Sequence, residues 1–599
     1  MHASHLCRDQ PMQSEIRRKV RNYGIAAVLS ALLLVVLIYS LSVSPQEFKP
    51  TTSSFGLFKA FASNKELRDF LTTHSQTYGP FPFYSQWDSR NMGPAFDTYG
   101  ESGQSLKIYS TTNIQVAGVD EADTVKTDGE YIYLVSGNSV YILKAYPAEE
   151  AEILSKIFIN DTYPVGIFVS NDKLAVLGCK YFVPTSYYYE WYMVDIKTFI
   201  NIYDITNRTD PVLLRNFTLS GSYFDSRMIG DYVYFVVSQP AYVIQDTVVL
   251  PKVYLEDGMK EIPASDIYYS STSDDYYTYT TIVALNIHDT PEEPNYKTIM
   301  LGGTSTMYVS SDNIYITFPE SSDETSIQRI RIENNTITPE AMGKVPGHVL
   351  NQFSMDENAD YFRIATTTWV NGTTRNNLYV LNMNLSTVGR LDNLAPGEAI
   401  DSARFIGNRC YLATSVVRKD PFFVIDVENA TSPQILGCLK IPGFTRYLHP
   451  YDANHIIGVG RDGNNSVKIS IFDVSNVSAP IEIDMYSVEG EWSDTSVLTE
   501  HKAFLFDKSK DLLALPVSAY YGWYQYWQWQ GLYVFNITLD SGLVLRGNIT
   551  HQGGGTYWDN DCLVNRALYI ENVLYTLSNK RIKMNNLETL VEIKEVQIP

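Results

Sequence analysis

Three sets of residues in this sequence have types that could do chemistry. The first is a scatter of charged positions at or near the starts of short apolar segments: Asp120, Glu121 and Asp123; Asp225 and Arg227; Asp401 and Arg404; Arg446 and His449; Asp494; Asp559 and Asp561. Brought together, such carboxylates could hold Ca²⁺, which takes several hard oxygen ligands. They could also do acid–base work on a sugar, or simply pair with the arginines. No D-x-[DN]-x-[DN]-G loop is present, and no other metal site is expected. The second set is aromatic: Tyr187, Tyr188, Tyr189 and Trp191; Tyr276 and Tyr277; Trp369; Trp523, Trp527 and Trp529. Clustered Tyr and Trp give flat contact area with a polar handle, suited to sugars or proteins. They could equally fold into a small core of their own. The third set is eleven N-x-S/T sequons, at Asn160, Asn207, Asn216, Asn334, Asn371, Asn384, Asn429, Asn464, Asn476, Asn536 and Asn548. G-x-S-x-G, H-E-x-x-H and G-x-x-x-x-G-K-[ST] are all missing, so no catalytic residue is assigned.

These residues must be positioned by strands. From about Gly118 onward, short apolar segments recur with turn signals every 8–12 residues, the pattern of an all-β chain. One hairpin repeats: VKTDGEYIYLVSG from Val125, RMIGDYVYFVVS from Arg227, YVSSDNIYITF from Tyr308, RFIGNRCYLATS from Arg404 and RALYIENVLYTLS from Arg566. A second piece closes several units: YDITNRTDPVLL from Tyr203, IDVENATSPQIL from Ile425 and FDVSNVSAPIEI from Phe472. There an Asp ends a strand, an Asn-containing turn follows, and a proline opens the next strand, as Asx-turn chemistry favours. Joined, the pieces make a four-stranded antiparallel unit, a-b-c-d, of the size of a propeller blade. Turn centres near Gly129, Asp172, Gly230, Asp312, Glu357, Gly407, Ala453, Glu500 and Glu571 mark the units. Propellers usually carry four to eight blades. The reading is therefore a large β-propeller of eight blades with one irregular unit, or of nine.

Strand direction alternates, so b–c and d–a connections share one face, and a–b and c–d turns the other. The long insertions (181–193, 239–281 and 518–531) and Trp369 fall at b–c positions, on the face where the charged positions approach the axis. Asn207, Asn334, Asn384, Asn429, Asn476 and Asn536 are expected in c–d turns, so glycosylation there would coat the opposite face.

The segment STTNIQVAGVDEADTVKTDG, from Ser110, resembles the opening signature of a family of secreted prokaryotic β-propeller proteins distantly related to WD-repeat proteins. DPFFVIDVENATSPQILGCLKIPGFTRYLHPYDANHIIGVGRDG, from Asp420, is similar to a second block of that family, and the likeness runs over about residues 105–599. It implies the fold and an exported location. It implies no activity and no catalytic residues.

The N-terminal region fits that address. Arg17, Arg18, Lys19 and Arg21 precede an uncharged apolar run over 24–44, about 20 residues, long enough to span a hydrocarbon core. The basic cluster keeps residues 1–23 in the cytoplasm and exports the remainder. Cleavage after the apolar run would instead release a secreted protein. Ser63 and Glu66 form a capping box ahead of Leu67, Phe70 and Leu71, a short helix within a juxtamembrane linker over 45–105, with the propeller at 106–599. Cys179, Cys410, Cys438 and Cys562 have no metal or redox spacing, and read as structural thiols or bridges.

The composition bounds all of this. In 599 residues, 67 acidic side chains against 46 basic give a net charge of −21, which opposes a nucleic-acid surface. Only 19% of residues are charged, so the acidity belongs to a globular surface. Tyrosine is in excess, with 44 copies, many of them on the b–c insertions.

Overall fold

A computed structural model describes residues 58–74, 109–182, 195–255, 258–269, 277–321, 323–415, 419–521, 527–553 and 559–599. The apolar run over 24–44 lies outside these residues. Among those described, no helix is long and apolar enough to cross a membrane.

Each repeat folds as an antiparallel sheet. Eight have four continuous strands: blades 1 (125–158), 2 (163–220), 3 (222–301), 4 (306–346), 5 (355–394), 6 (399–442), 7 (444–487) and 9 (566–597). A further unit, blade 8 (492–549), is irregular. Its innermost strand is divided into Trp492–Asp494 and Leu505–Asp507, with two 3-10 turns between the pieces. Eight regular blades is the number the sequence favours, and the irregular unit still occupies a place of its own. An apolar cluster fills each interface from blade 1 to blade 9, and another joins blade 9 back to blade 1, closing the ring. The turn expected near Glu500 belongs to this divided strand. The a–b turn of blade 8 actually spans Lys508–Lys510 and Asp511.

Burial explains why the middle strands do not alternate. Val467–Asp473 is buried on both faces because neighbouring blades cover it, whereas the outermost strand of the same blade, Ile481–Ser487, alternates between exposed and covered positions. The Asx turns form as their residues require. Asp204, Asp426 and Asp473 accept from the amides of Thr206, Glu428 and Ser475 at 2.8–2.9 Å.

Neighbouring blades interlock where the c–d turn of one rests on the outer strand of the blade before it. Gly389 lies under Ala430 and Gly437 under Val477, and a Cβ at either glycine would collide with the carbonyl oxygen above it.

The b–c insertion of blade 3 doubles back to extend two rims. Its Lys252–Leu255 strand pairs with the outer strand of blade 2, and its Ile267–Tyr269 strand with that of blade 3. Lys59–Ala60 then pairs with Ile267–Tyr269, and the helix Asn64–His74 packs beside it. The capping box forms with one change: Ser63 Oγ accepts from the Glu66 amide, while the Glu66 carboxylate takes the Ala62 N–H. Leu67 and Leu71 are buried, so this part of the linker is built into the ring.

Candidate functional site: the ring axis and the b–c face

The innermost strand of each blade begins at the b–c face and runs along the axis. In blades 2, 3, 6 and 7 the pairing slips by one residue near that start, at Val165, Phe224, Asp401 and Arg446. A bulge re-aims the side chain it carries, and the bulged Arg446 lies near enough for its charge to act on the bulged Asp401 of the blade before it.

The axis itself is occupied by the chain. Residues 109–123 enter beside the inner strand of blade 9, where Tyr109 bridges Ile570 and the Ser110 amide donates to the Tyr569 carbonyl at 3.0 Å. Asn113 Nδ2 donates to the His501 carbonyl in blade 8 (3.3 Å), and His501 Nε2 donates to the Asn113 carbonyl (3.0 Å). Gln115 and Gln352, which precedes blade 5, bond to each other, Gln352 Nε2 donating to Gln115 Oε1 at 3.0 Å. Val119–Glu121 then pairs antiparallel with the inner strand of blade 3, and Asp123 bridges Ile167 in blade 2.

A buried ionic network surrounds this segment. Arg227 is within 2.8 Å of Asp225 and 3.8 Å of Glu121, and Arg566 within 3.0 Å of Asp123 and 3.3 Å of Glu500. His501 Nε2 lies 3.6 Å from Glu121. Burial pushes the Glu121 carboxyl up against the opposing pull of Arg227. Burial drives His501 well below its ordinary value, with Lys502, Arg566 and Arg227 adding to the effect. At neutral pH this histidine is uncharged.

The charged positions singled out in the sequence thus have partners. Asp225 holds Arg227, and Asp494 takes Arg461 at 2.6 Å. Arg404 is buried over the Phe353 ring at 5.6 Å. His449 is buried, shares a 2.9 Å hydrogen bond with the Tyr447 hydroxyl, and is pushed down to about 3 by burial and by Arg404. Asp401 accepts from Ser415, and its carboxyl is pushed up by burial. Among the described residues, no group of three or more His, Cys, Asp or Glu is arranged to hold a metal ion. The four cysteines outside the N-terminal region are free thiols. His501 was not legible in the sequence as an axial residue, because its partners lie hundreds of positions away.

The aromatic residues divide. Tyr187, Tyr188, Tyr189, Trp191, Tyr276 and Trp523 lie outside the described residues, as does the side chain of Trp527. Tyr277 is buried and meets Phe70 edge-on at 5.3 Å, inside the core shared by the insertion and the N-terminal helix. Trp529 packs on Tyr533 at 5.1 Å. Trp369 is 60% exposed at the end of its b strand. Three exposed aromatics that the sequence did not single out join it on the same face. Phe158 ends a d strand, Tyr163 begins an a strand and Tyr521 ends a b strand.

On the opposite face Asn207, Asn334, Asn384, Asn429 and Asn476 are exposed in c–d turns. Asn536 corrects the expectation. It sits within the strand Trp527–Thr538, half-buried, accepting from Arg546 at 3.2 Å.

Residues 109–590 match the family described as "Beta propeller domain". Two curated proteins, both uncharacterized, are similar over nearly their whole length. One, from Methanocaldococcus jannaschii, is 26% identical over 92% of this chain and 94% of its own. The other, from Archaeoglobus fulgidus, is 26% identical over 90% and 94%. A solved protein from Lactobacillus plantarum aligns with 55% of this chain and 95% of its own at a TM-score of 0.31 and 14% identity, a likeness too distant to carry an argument.

Proposed function

The chain belongs to the beta-propeller domain family, and from that premise we propose that it is a non-catalytic binding module of the cell envelope. In this reading it is held to the membrane by residues 24–44, or secreted if that segment is cleaved, and its ring lies outside the cell. Its ligand is a glycan or a protein, bound on the b–c face. One observation carries the reading: of the five exposed aromatic side chains among the described residues, Phe158, Tyr163, Trp369 and Tyr521 stand on that face, and only Tyr361 on the other. Exposed aromatics concentrated on one face favour recognition, since a folded chain gains nothing from leaving them in water. The sequons do not share that partition, since Asn160, Asn371 and Asn464 are exposed on the b–c face as well.

The alternative, an extracellular hydrolase or lyase working with axial carboxylates, is less well supported. Asp225 and Asp494 are held in ion pairs, and residues 109–123 run against the inner strands that carry such carboxylates. A purely structural envelope scaffold would need none of the exposed aromatics. The test is a glycan array, with pull-down from envelope extract, using the full chain and its Trp369→Ala, Tyr163→Ala and Tyr521→Ala variants. Binding reduced at least tenfold by these changes supports the reading. Binding indifferent to all three, or none by the full chain, ends it.

A further inference from the structure

We infer that residues 109–123 are the clasp that holds the ring closed, tying the last blade to blades on the far side of the axis. Among the described residues, no blade is built from strands of both chain ends. Blade 1 is continuous over 125–158 and blade 9 over 566–597. Their junction rests on an apolar cluster and on a few side-chain bonds to backbone, including Tyr141 to the Pro599 carbonyl and Tyr575 to the Ala145 carbonyl, both 2.7 Å. A ring of this many blades also leaves a wide centre, whose inner strands would expose unpaired backbone to it.

The segment answers both needs. It bonds to the inner strand of blade 9 at Tyr109 and Ser110, and to that of blade 3 through Val119–Glu121. It reaches the inner strand of blade 2 at Asp123, where the Asp123 and Ile167 amides donate to each other's carbonyls at 3.4 and 2.9 Å. Between these anchors, Asn113 engages blade 8 and Gln115 the turn before blade 5. The anchors are main-chain pairings and the middle is held by side-chain amides. Such a crosspiece adds polar ties across the axis to the apolar contacts that Val116 and Val119 make with the blade interfaces. It also gives the residues 110–121 of the sequence signature a mechanical task that no period or composition reveals.

A clasp predicts coupling across the axis. Among the described residues, neither Asn113 nor Gln115 hydrogen-bonds to Ser222–Ile229 or Arg566–Ile570; the relay from Gln115 through Gln352 to Arg227, at 3.5 Å, reaches blade 3 alone, so quickening in both strands together reads the segment. In the full chain carrying Asn113→Ala and Gln115→Ala, amide hydrogen exchange should quicken at least tenfold in both strands together. The outer strand Thr336–Pro346 should keep its wild-type rate. Faster exchange confined to 109–121 would overturn the inference. The unaltered protein gives a second reading that does not depend on the variant folding. Under increasing denaturant, amides of Val119–Glu121, Ser222–Ile229 and Arg566–Ile570 should open as one unit. Opening of the segment well before the two inner strands would overturn it.

Discussion

Glu121 Oε1 stands 3.8 Å from Arg227 Nε at the centre of the ring, and both side chains are almost fully withdrawn from water. Such a pair owes little net stability to its own attraction, because both ions have been taken out of solvent. Removing one partner is a different matter.

Arg227→Met should therefore cost about 3–5 kcal/mol, since it leaves Glu121 buried beside a vacated site. Combining it with Glu121→Gln should return part of that loss, because the fully buried carboxylate is then no longer stranded, while Asp225, which also loses Arg227, is partly open to water. Urea unfolding of the two single variants and the double variant measures the coupling. A double variant as unstable as Arg227→Met would mean that the shape of the guanidinium, not its charge, is what the axis requires.

The glycines beneath the c–d turns give a sharper steric prediction. Gly437→Ala places a methyl against the Val477 carbonyl, which belongs to the next blade's backbone and has little room to move. The expected loss is about 1–3 kcal/mol. Gly463, whose added Cβ would meet nothing within 4 Å, serves as the control, and Gly463→Ala should change stability by less than about 0.5 kcal/mol. Thermal unfolding of both variants separates the outcomes.

Tyr277 and Trp369 look alike in sequence, each an aromatic beside a loop, and the structure gives them opposite surroundings. Tyr277→Ala removes a ring from a packed core and should cost about 3–5 kcal/mol. Trp369→Ala removes a ring mostly in water and should leave stability within about 0.5 kcal/mol of the parent, while weakening ligand capture on the b–c face. Denaturation and binding measured on the same two preparations check both halves.

This pair also marks where sequence reading stops. Local chemistry was legible: the Asx turns at Asp204, Asp426 and Asp473, and the Ser63 cap, depend on residues two or three apart. The strand repeat was legible because the blades share their turn chemistry, and it faltered in blade 8, at Glu500, where the inner strand is divided, and at Asn536, which lies inside a strand and not in a turn. What a side chain faces was not. Whether Tyr277 enters a core depends on Phe70, some two hundred residues earlier, and the place of Asn113 depends on His501. Periodicity is blind to contacts at such separation.

Three buried histidines should govern acid stability. His551 lies between Ser578 Oγ and Thr576 Oγ1, at 2.9 and 2.8 Å, and burial, aided by Lys583 and Arg581, pushes it down to about 3. His449 is pushed down to about 3 in the same way, and His501 further. Each is neutral in the fold but takes up a proton on unfolding once the pH drops below its unfolded value of about 6.5. Their contribution is thus fully present above about pH 6.5 and is lost as pH falls toward the folded values. The loss is about 1.4 kcal/mol per pH unit for each histidine. Between pH 7.5 and pH 5 a single histidine should account for about 2 kcal/mol. His551→Gln keeps polar atoms for Ser578 and Thr576 and cannot titrate, so it should shrink the difference in unfolding free energy between those two pH values by about that amount. An unchanged difference would show that His551 already carries its proton in the folded ring.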